Sequence, residues 1–116
     1  MAAHHDRMRA LIAGGASTGR RPTWSHVMAN MGAIRQDRSA DSVAVLRDLA
    51  RFRGTFDVDD SHGLTHALPP EEVTRMVAVQ TLADWDLEAH RDVIQEVMDQ
   101  AEFEQVAAVA RGALGG

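Results

Sequence analysis

Residues 39–56, SADSVAVLRDLARFRGTF, carry the helix grammar from which the rest of the chain can be read. Ser39 or Asp41 can cap the start, because a short side-chain oxygen satisfies backbone N–H groups that a first turn leaves unpaired. Val43, Leu46, Leu49 and Ala50 then recur at spacings of three and four, which stacks side chains on one helix face. Arg47, Asp48 and Arg51 fall on the other faces, with Asp48 and Arg51 spaced for a weak ion pair. Gly54 is the expected stop, since glycine tolerates the left-handed conformation that ends many helices. Phe52 and Phe56 are two of the three phenylalanines in the chain, so the end of this helix should be anchored in apolar surroundings. The segment reads as the hub of a small helical domain.

Working outward, Pro22-Thr23 opens a helix over roughly 23–35, with Trp24, Val27, Met28, Met31 and Ile34 as its apolar stripe. Such a stripe builds core, or a docking face in which Met adapts and Trp anchors. Upstream, residues 2–13 could form a short helix with Met8, Leu11 and Ile12 on one side, but nothing caps it well, and the turn-rich linker GGASTGRRP follows. Residues 1–22 are therefore expected as an extended basic arm. Downstream, residues 55–70 are irregular. Pro69-Pro70-Glu71-Glu72 starts a helix with Pro at an early position and carboxylates near the positive pole. Its expected inward residues are Val73, Met76 and Val77, with Arg75 and Gln80 as polar neighbours, and it ends at Leu82 and Trp85. Asp84 or Asp86 then caps a last helix over about 87–111, with Leu87, Ile94, Val97, Met98 and Ala101 as core and Val106 and Val109 extending it. The fold class is all-α, a small bundle of four to five helices, with an arm over 1–22, a helical domain over 23–111 and a flexible tail over 112–116.

Composition supports that reading and narrows the function. The 116 residues are 45% hydrophobic but only 4% aromatic, so the core rests on aliphatic side chains and six Met. Cysteine is absent, which removes disulfides and thiolate metal sites. No run approaches eighteen apolar residues and no membrane contact is expected. All twelve basic residues are Arg, and they are unevenly spread. Residues 1–38 hold six Arg against Asp6 and Asp37, whereas residues 61–116 hold three Arg against ten carboxylates. A basic front and an acidic rear suit head-to-tail association, or a basic arm laid on a larger assembly or on DNA.

Chemical motifs are weak throughout. Asp57, Asp59, Asp60, His62 and His66 could meet a cation, but Gly63 interrupts the helical His spacing and the calcium-loop register is not kept. Glu88, His90 and Glu96 lack the repeated three-residue Glu–His spacing of di-iron bundles. His4 and His5 suggest adventitious metal binding at most. Gly14 to Arg20 lacks the Lys and preceding strand of a phosphate loop. Arg20 and Arg21, ahead of a helix start, suit phosphate contact, against which stands the net charge of −5. No catalytic residue, cofactor site or metal site is assigned, and the chain is expected not to be an enzyme.

One resemblance adds to this. Val45-Leu46-Arg47-Asp48-Leu49-Ala50-Arg51-Phe52-Arg53-Gly54, then Thr55-Phe56, an acidic spacer, and Arg75 with Val77 and Gln80, resembles a small helical domain encoded among structural genes of short-tailed bacteriophages. The resemblance covers about residues 43–82. The family usually shows Gly-Arg or Gln-Arg where this chain has Thr74-Arg75. It implies a non-enzymatic virion structural or assembly protein of the head, portal, head–tail junction or internal core, assembled in the bacterial cytoplasm. Its partners would be other virion proteins and itself in a symmetric oligomer, with the arm able to reach DNA. The candidate interface residues are Arg20, Arg21, Trp24, Met28, Met31, Phe52, Phe56 and Trp85. The alternatives are a nucleic-acid-binding accessory or regulatory protein, and an inhibitor or adaptor of a host protein.

Overall fold

The backbone is described for residues 5–10, 24–52 and 69–115 of a computed structural model, and the side chains for all of these but residues 24–26 and 70. Residues 5–10 are helical (α1), and α2 (Trp24–Asp37), α3 (Ala40–Arg51), α4 (Pro70–Gln100) and α5 (Glu104–Ala113) follow. The described residues contain no strand, so the chain is an all-α bundle. None of their helices is long and apolar enough to cross a membrane. The boundary expected between arm and body at 22/23, Gly54 and all but the last two residues of the irregular stretch expected over 55–70 lie outside the described residues, as does most of the arm.

The α4 segment is two helices joined at one residue. Asp86 leaves helical conformation at φ −166 and ψ 90, and its Oδ1 accepts from the Ala89 N–H at 3.2 Å. That is the cap expected for a new helix at this point. A straight helix of 31 residues would run about 46 Å at 1.5 Å per residue, longer than the 37 Å longest dimension of the molecule. The contacts fix the direction of the turn. Arg75, near the start, reaches the Ala50 and Phe52 carbonyls at the end of α3, and Glu96, near the finish, meets Arg51 of the same region. The segment thus departs from the end of α3, reverses at Asp86 and comes back.

Four buried stripes meet inside: Val27, Met31 and Ile34 of α2, Val45, Leu46, Leu49 and Ala50 of α3, Ala78, Val79 and Leu82 before the reversal, and Val93, Ile94 and Val97 after it. Val106 and Ala110 of α5 and Met8 of α1 complete the core. Because α4 packs against α2, α3 and α5, it and not α3 is the central element.

Several local expectations shift. Ser39 is the cap of α3, its hydroxyl accepting from Ser42 N–H at 3.1 Å. The helix stops at Arg51, ahead of Gly54, because the Phe52 backbone turns extended and its carbonyl goes to Arg75. Arg75, expected as a polar neighbour of the inward stripe, is itself buried at 2% exposed, while Val73, Met76 and Val77 are less completely buried than the core stripe. The expected single helix over 87–111 breaks at 101–103, where the Phe103 backbone is extended and its side chain packs on the core. Neither Gly nor Pro marks that break.

Arg75 carries the main buried charge. Its Nε donates to the Ala50 carbonyl at 3.2 Å, and its two other nitrogens engage Glu72 and the Phe52 carbonyl. Removing one partner of such a pair strands the other without water. Arg75→Met should therefore destabilise by about 3 kcal/mol or more in urea unfolding. The double variant Glu72→Gln/Arg75→Met should lose less than the sum of its single changes, because no carboxylate is then left alone.

Candidate functional site

Polar side chains gather in three places. At the α2–α3 junction, buried His5 from α1 places Nε2 2.7 Å from Ser42 Oγ and 3.2 Å from Asp37 Oδ2, with Nδ1 3.9 Å from Asp41 Oδ2. Ser, His and Asp come together here, yet Ser42 is 0% exposed, so no substrate carbonyl could approach its hydroxyl. Arg9 pairs with Asp41 beside it, and the pair holds the Asp41 carboxyl below the ordinary carboxylate range. Hydrogen bonds from Ser39 and Ser42 do the same for Asp37. The cluster seats α1, and His5, expected only as an adventitious terminal ligand, is one of its buried members. The three-residue spacing of His5 and Met8, both buried, is the sequence signal that marks this face.

The second cluster joins α3 to the returning arm of α4. Arg47 donates to both Asp92 oxygens, at 3.1 and 2.6 Å, and to His90 Nδ1 at 3.1 Å. Arg51 donates to Glu96 at 3.1 Å and lies 3.7 Å from Asp92. A guanidinium cannot accept, so His90 Nδ1 accepts and the ring is neutral. Burial first, and the Arg47 cation second, push the His90 pKa down, with Asp86 and Asp92 opposing weakly. The Arg47 fork pulls Asp92 down to about 2. Glu88 goes instead to Arg91, so the three residues compared above with a di-iron site face three different arginines. No group of three or more His or carboxylate side chains able to hold a metal ion occurs among the described residues.

The third is a groove of about 620 Å³ between α2 and the outgoing arm of α4, lined by Gly32, Arg35, Gln36, Gln80, Thr81, Asp84 and Trp85. Arg38, at the turn into α3, adopts φ 53 and sets its guanidinium 5.3 Å from the Trp85 ring centroid. A left-handed conformation costs a non-glycine residue about 1 kcal/mol or more, and the Arg38 cation over the half-buried Trp85 ring offsets about 0.5–1 kcal/mol of that. Arg9, Arg47, Arg51, Arg75, Arg91 and Arg111 all meet carboxylates, whereas Arg35 faces the groove and, like Arg7 and Arg38, meets none among the described residues. Gly32 sits mid-helix, where a Cβ would meet nothing within 4 Å. One turn earlier, Met28 is a large hydrophobic side chain left exposed, at 37%.

This sorts the candidate interface residues. Met28 and Trp85 lie along one continuous face with the groove. Met31 is withdrawn into the core, because it falls on the α2 stripe shared with Val27 and Ile34, and so offers no surface. Phe52 is half-buried against the core. Arg20, Arg21, Phe56 and the Trp24 side chain lie outside the described residues, as do Asp57, Asp59, Asp60, His62 and His66.

His90 makes the stability of the α3–α4 contact depend on pH. Its folded pKa lies below the ordinary value near 6.5, so the unfolded chain takes up that proton first. The stabilisation is complete above about pH 7 and is lost as pH falls through about 6.5 toward the folded value. The stability difference between wild type and His90→Gln, followed by urea unfolding, should shrink from about pH 7 to about pH 5. A further loss should follow below about pH 4, as Asp92 protonates on the way to its folded value of about 2. Compared with known proteins, the chain matches no family model, no curated protein and no solved structure.

Proposed function

We propose that this chain is a non-catalytic building block that works by contact with other proteins, and that its setting is the virion of a bacteriophage. Within that setting it would be a head, portal, head–tail junction or internal core component, formed in the host cytoplasm and carried in the particle. The observation that supports contact as the mode of action is the outer face of α2. There Met28 is exposed, Gly32 leaves open space, and Arg35 and Asp84 stand on opposite walls of the groove, with no ion pair to another described residue. Other charged groups among the described residues tie one helix to another, as Arg75 on the Ala50 and Phe52 carbonyls and Arg47 on Asp92 do, or pair within a helix, as Arg91 and Glu88 do. An apolar side chain beside unpaired charges of both signs suits a protein surface better than a single small ion. The phage setting rests on the resemblance over residues 43–82, in which Arg75 and the α3 stripe take part.

Gly32 gives the test. Gly32→Ala should raise stability by about 0.5–1 kcal/mol, since it removes the cost of mid-helix glycine and the added methyl meets nothing. Gly32→Arg should keep the helicity of the wild type and project a charge across the groove. Sedimentation velocity of the wild-type chain should show an oligomer, mass spectrometry should find the chain in purified particles, and Gly32→Arg should weaken the association. A wild-type monomer absent from particles, or an oligomer indifferent to Gly32→Arg, would overturn the reading of this face.

A further inference from the structure

The groove between α2 and the outgoing arm of α4 is a trough between two helices. On α2, Met28, Gly32 and Arg35 follow one another at spacings of four and three, each one position on from the buried Val27, Met31 and Ile34. From Met28 to Arg35 this stripe runs two turns, about 10 Å at 1.5 Å per residue. On α4, Gln80 and Asp84 lie one turn apart on the other wall, with half-buried Trp85 next to Asp84. Gly32 keeps the α2 wall low, because a Cβ there would meet nothing within 4 Å.

The chemistry of the walls selects the form of an occupant. An extended segment would bring backbone N–H and C=O groups that need partners once water is displaced. The Thr81 hydroxyl is already committed to the Val77 carbonyl at 2.7 Å, which leaves the Gln36 and Gln80 amides as the neutral hydrogen-bonding side chains of the trough. Two amides cannot serve a strand of that length. A helix arrives with its backbone satisfied and asks only for a side-chain match. Arg35 and Asp84 set that match, being exposed, on opposite walls and without an ion pair to another described residue. A helix lying between them has a guanidinium along one flank and a carboxylate along the other.

We propose that the groove receives an amphipathic helix of a partner protein, with small and aliphatic residues on its inward stripe, a carboxylate on the flank beside Arg35 and a cation on the flank beside Asp84. Gly32 lets the two helix axes approach closely. Met28 and Trp85 supply the apolar contact, and the Arg38 guanidinium, 5.3 Å from its centroid, holds the Trp85 ring in place. The flanking charges choose the partner, as those bordering the seam of a coiled coil do. This proposal rests on the reading of the α2 face as a contact surface, and names what lies on it.

Sign-following selection tests it. The probe is a display library of helices of about fifteen residues, with a randomised inward stripe and flanks that are Glu/Lys, Glu/Glu or Lys/Lys. A helix can enter in either direction, so the mixed pair needs no fixed order. Wild type should enrich mixed flanks over like-charged ones by about fivefold. Asp84→Arg makes both walls cationic and should enrich Glu/Glu, Arg35→Asp should enrich Lys/Lys, and Gly32→Arg, which fills the trough, should enrich none. Circular dichroism checks that each variant keeps the helicity of the wild type. Should a reversal lose it, Asp84→Asn and Arg35→Gln take its place, each removing the preference on one flank. No flank pair enriched on wild type, the same pair enriched on every variant, or enrichment that survives Gly32→Arg would overturn the proposal. A chain found in purified particles despite such a result keeps the building-block reading and ends the helix as occupant of the groove.

Discussion

Burying a guanidinium imposes a strict geometric demand, and Arg75 shows how much of a small fold one such group can dictate. Its donors point in fixed directions in one plane, and each must find an acceptor once water is excluded. Here the acceptors are two carbonyls at the end of α3 and the Glu72 carboxylate one turn earlier on its own helix. The Phe52 carbonyl lies just past the last turn of α3 and accepts from Arg75, so the end of one helix and the position of the next are a single decision. The start of α4 is thereby pinned to the end of α3. Everything from the groove to the returning arm is measured from that point.

The same fork chemistry is used repeatedly, and it changes the meaning of the charge distribution. The rear of the chain is acidic in sequence, yet Glu72, Glu88, Asp92, Glu96 and Glu104 each meet an arginine, while Asp86 caps a helix. Much of the apparent negative face is internal wiring. At the front, among the described residues, Arg9 pairs with Asp41 and Arg38 lies over Trp85, while Arg7 is exposed and Arg35 faces the groove. Polarity read from residue counts therefore overstates the field that a partner would meet.

Local grammar was legible from the sequence and long-range pairing was not. A cap at Ser39 or Asp41, an early Pro in the helix after Pro69 and a cap at Asp84 or Asp86 each depend on residues within a few positions, and Ser39, Pro70 and Asp86 fill those places. The helix end near Gly54 was misplaced because the force that stops α3 comes from Arg75, which is distant in sequence. The burial of His5, Arg75 and His90 is not legible in the sequence, because nothing nearby along the chain reveals their acceptors. The break at 101–103 is set by the packing of Phe103, with no turn residue to announce it. Within the candidate interface, periodicity could group Met28 with Met31 but could not decide which side of the stripe met solvent.

The reversal at Asp86 leaves the chain no slack. The two arms are joined by one non-helical residue, so the rotational phase of each is locked to the other. Lengthening either arm by one residue near the bend would rotate its far end by about 100°, carrying Leu82 or Val93 off the core stripe. A longer connector would let such slips be absorbed. This domain can therefore drift by substitution far more readily than by insertion or deletion at its bend, and the number of residues between Arg75 and Glu96 is as fixed a trait as any side chain it contains.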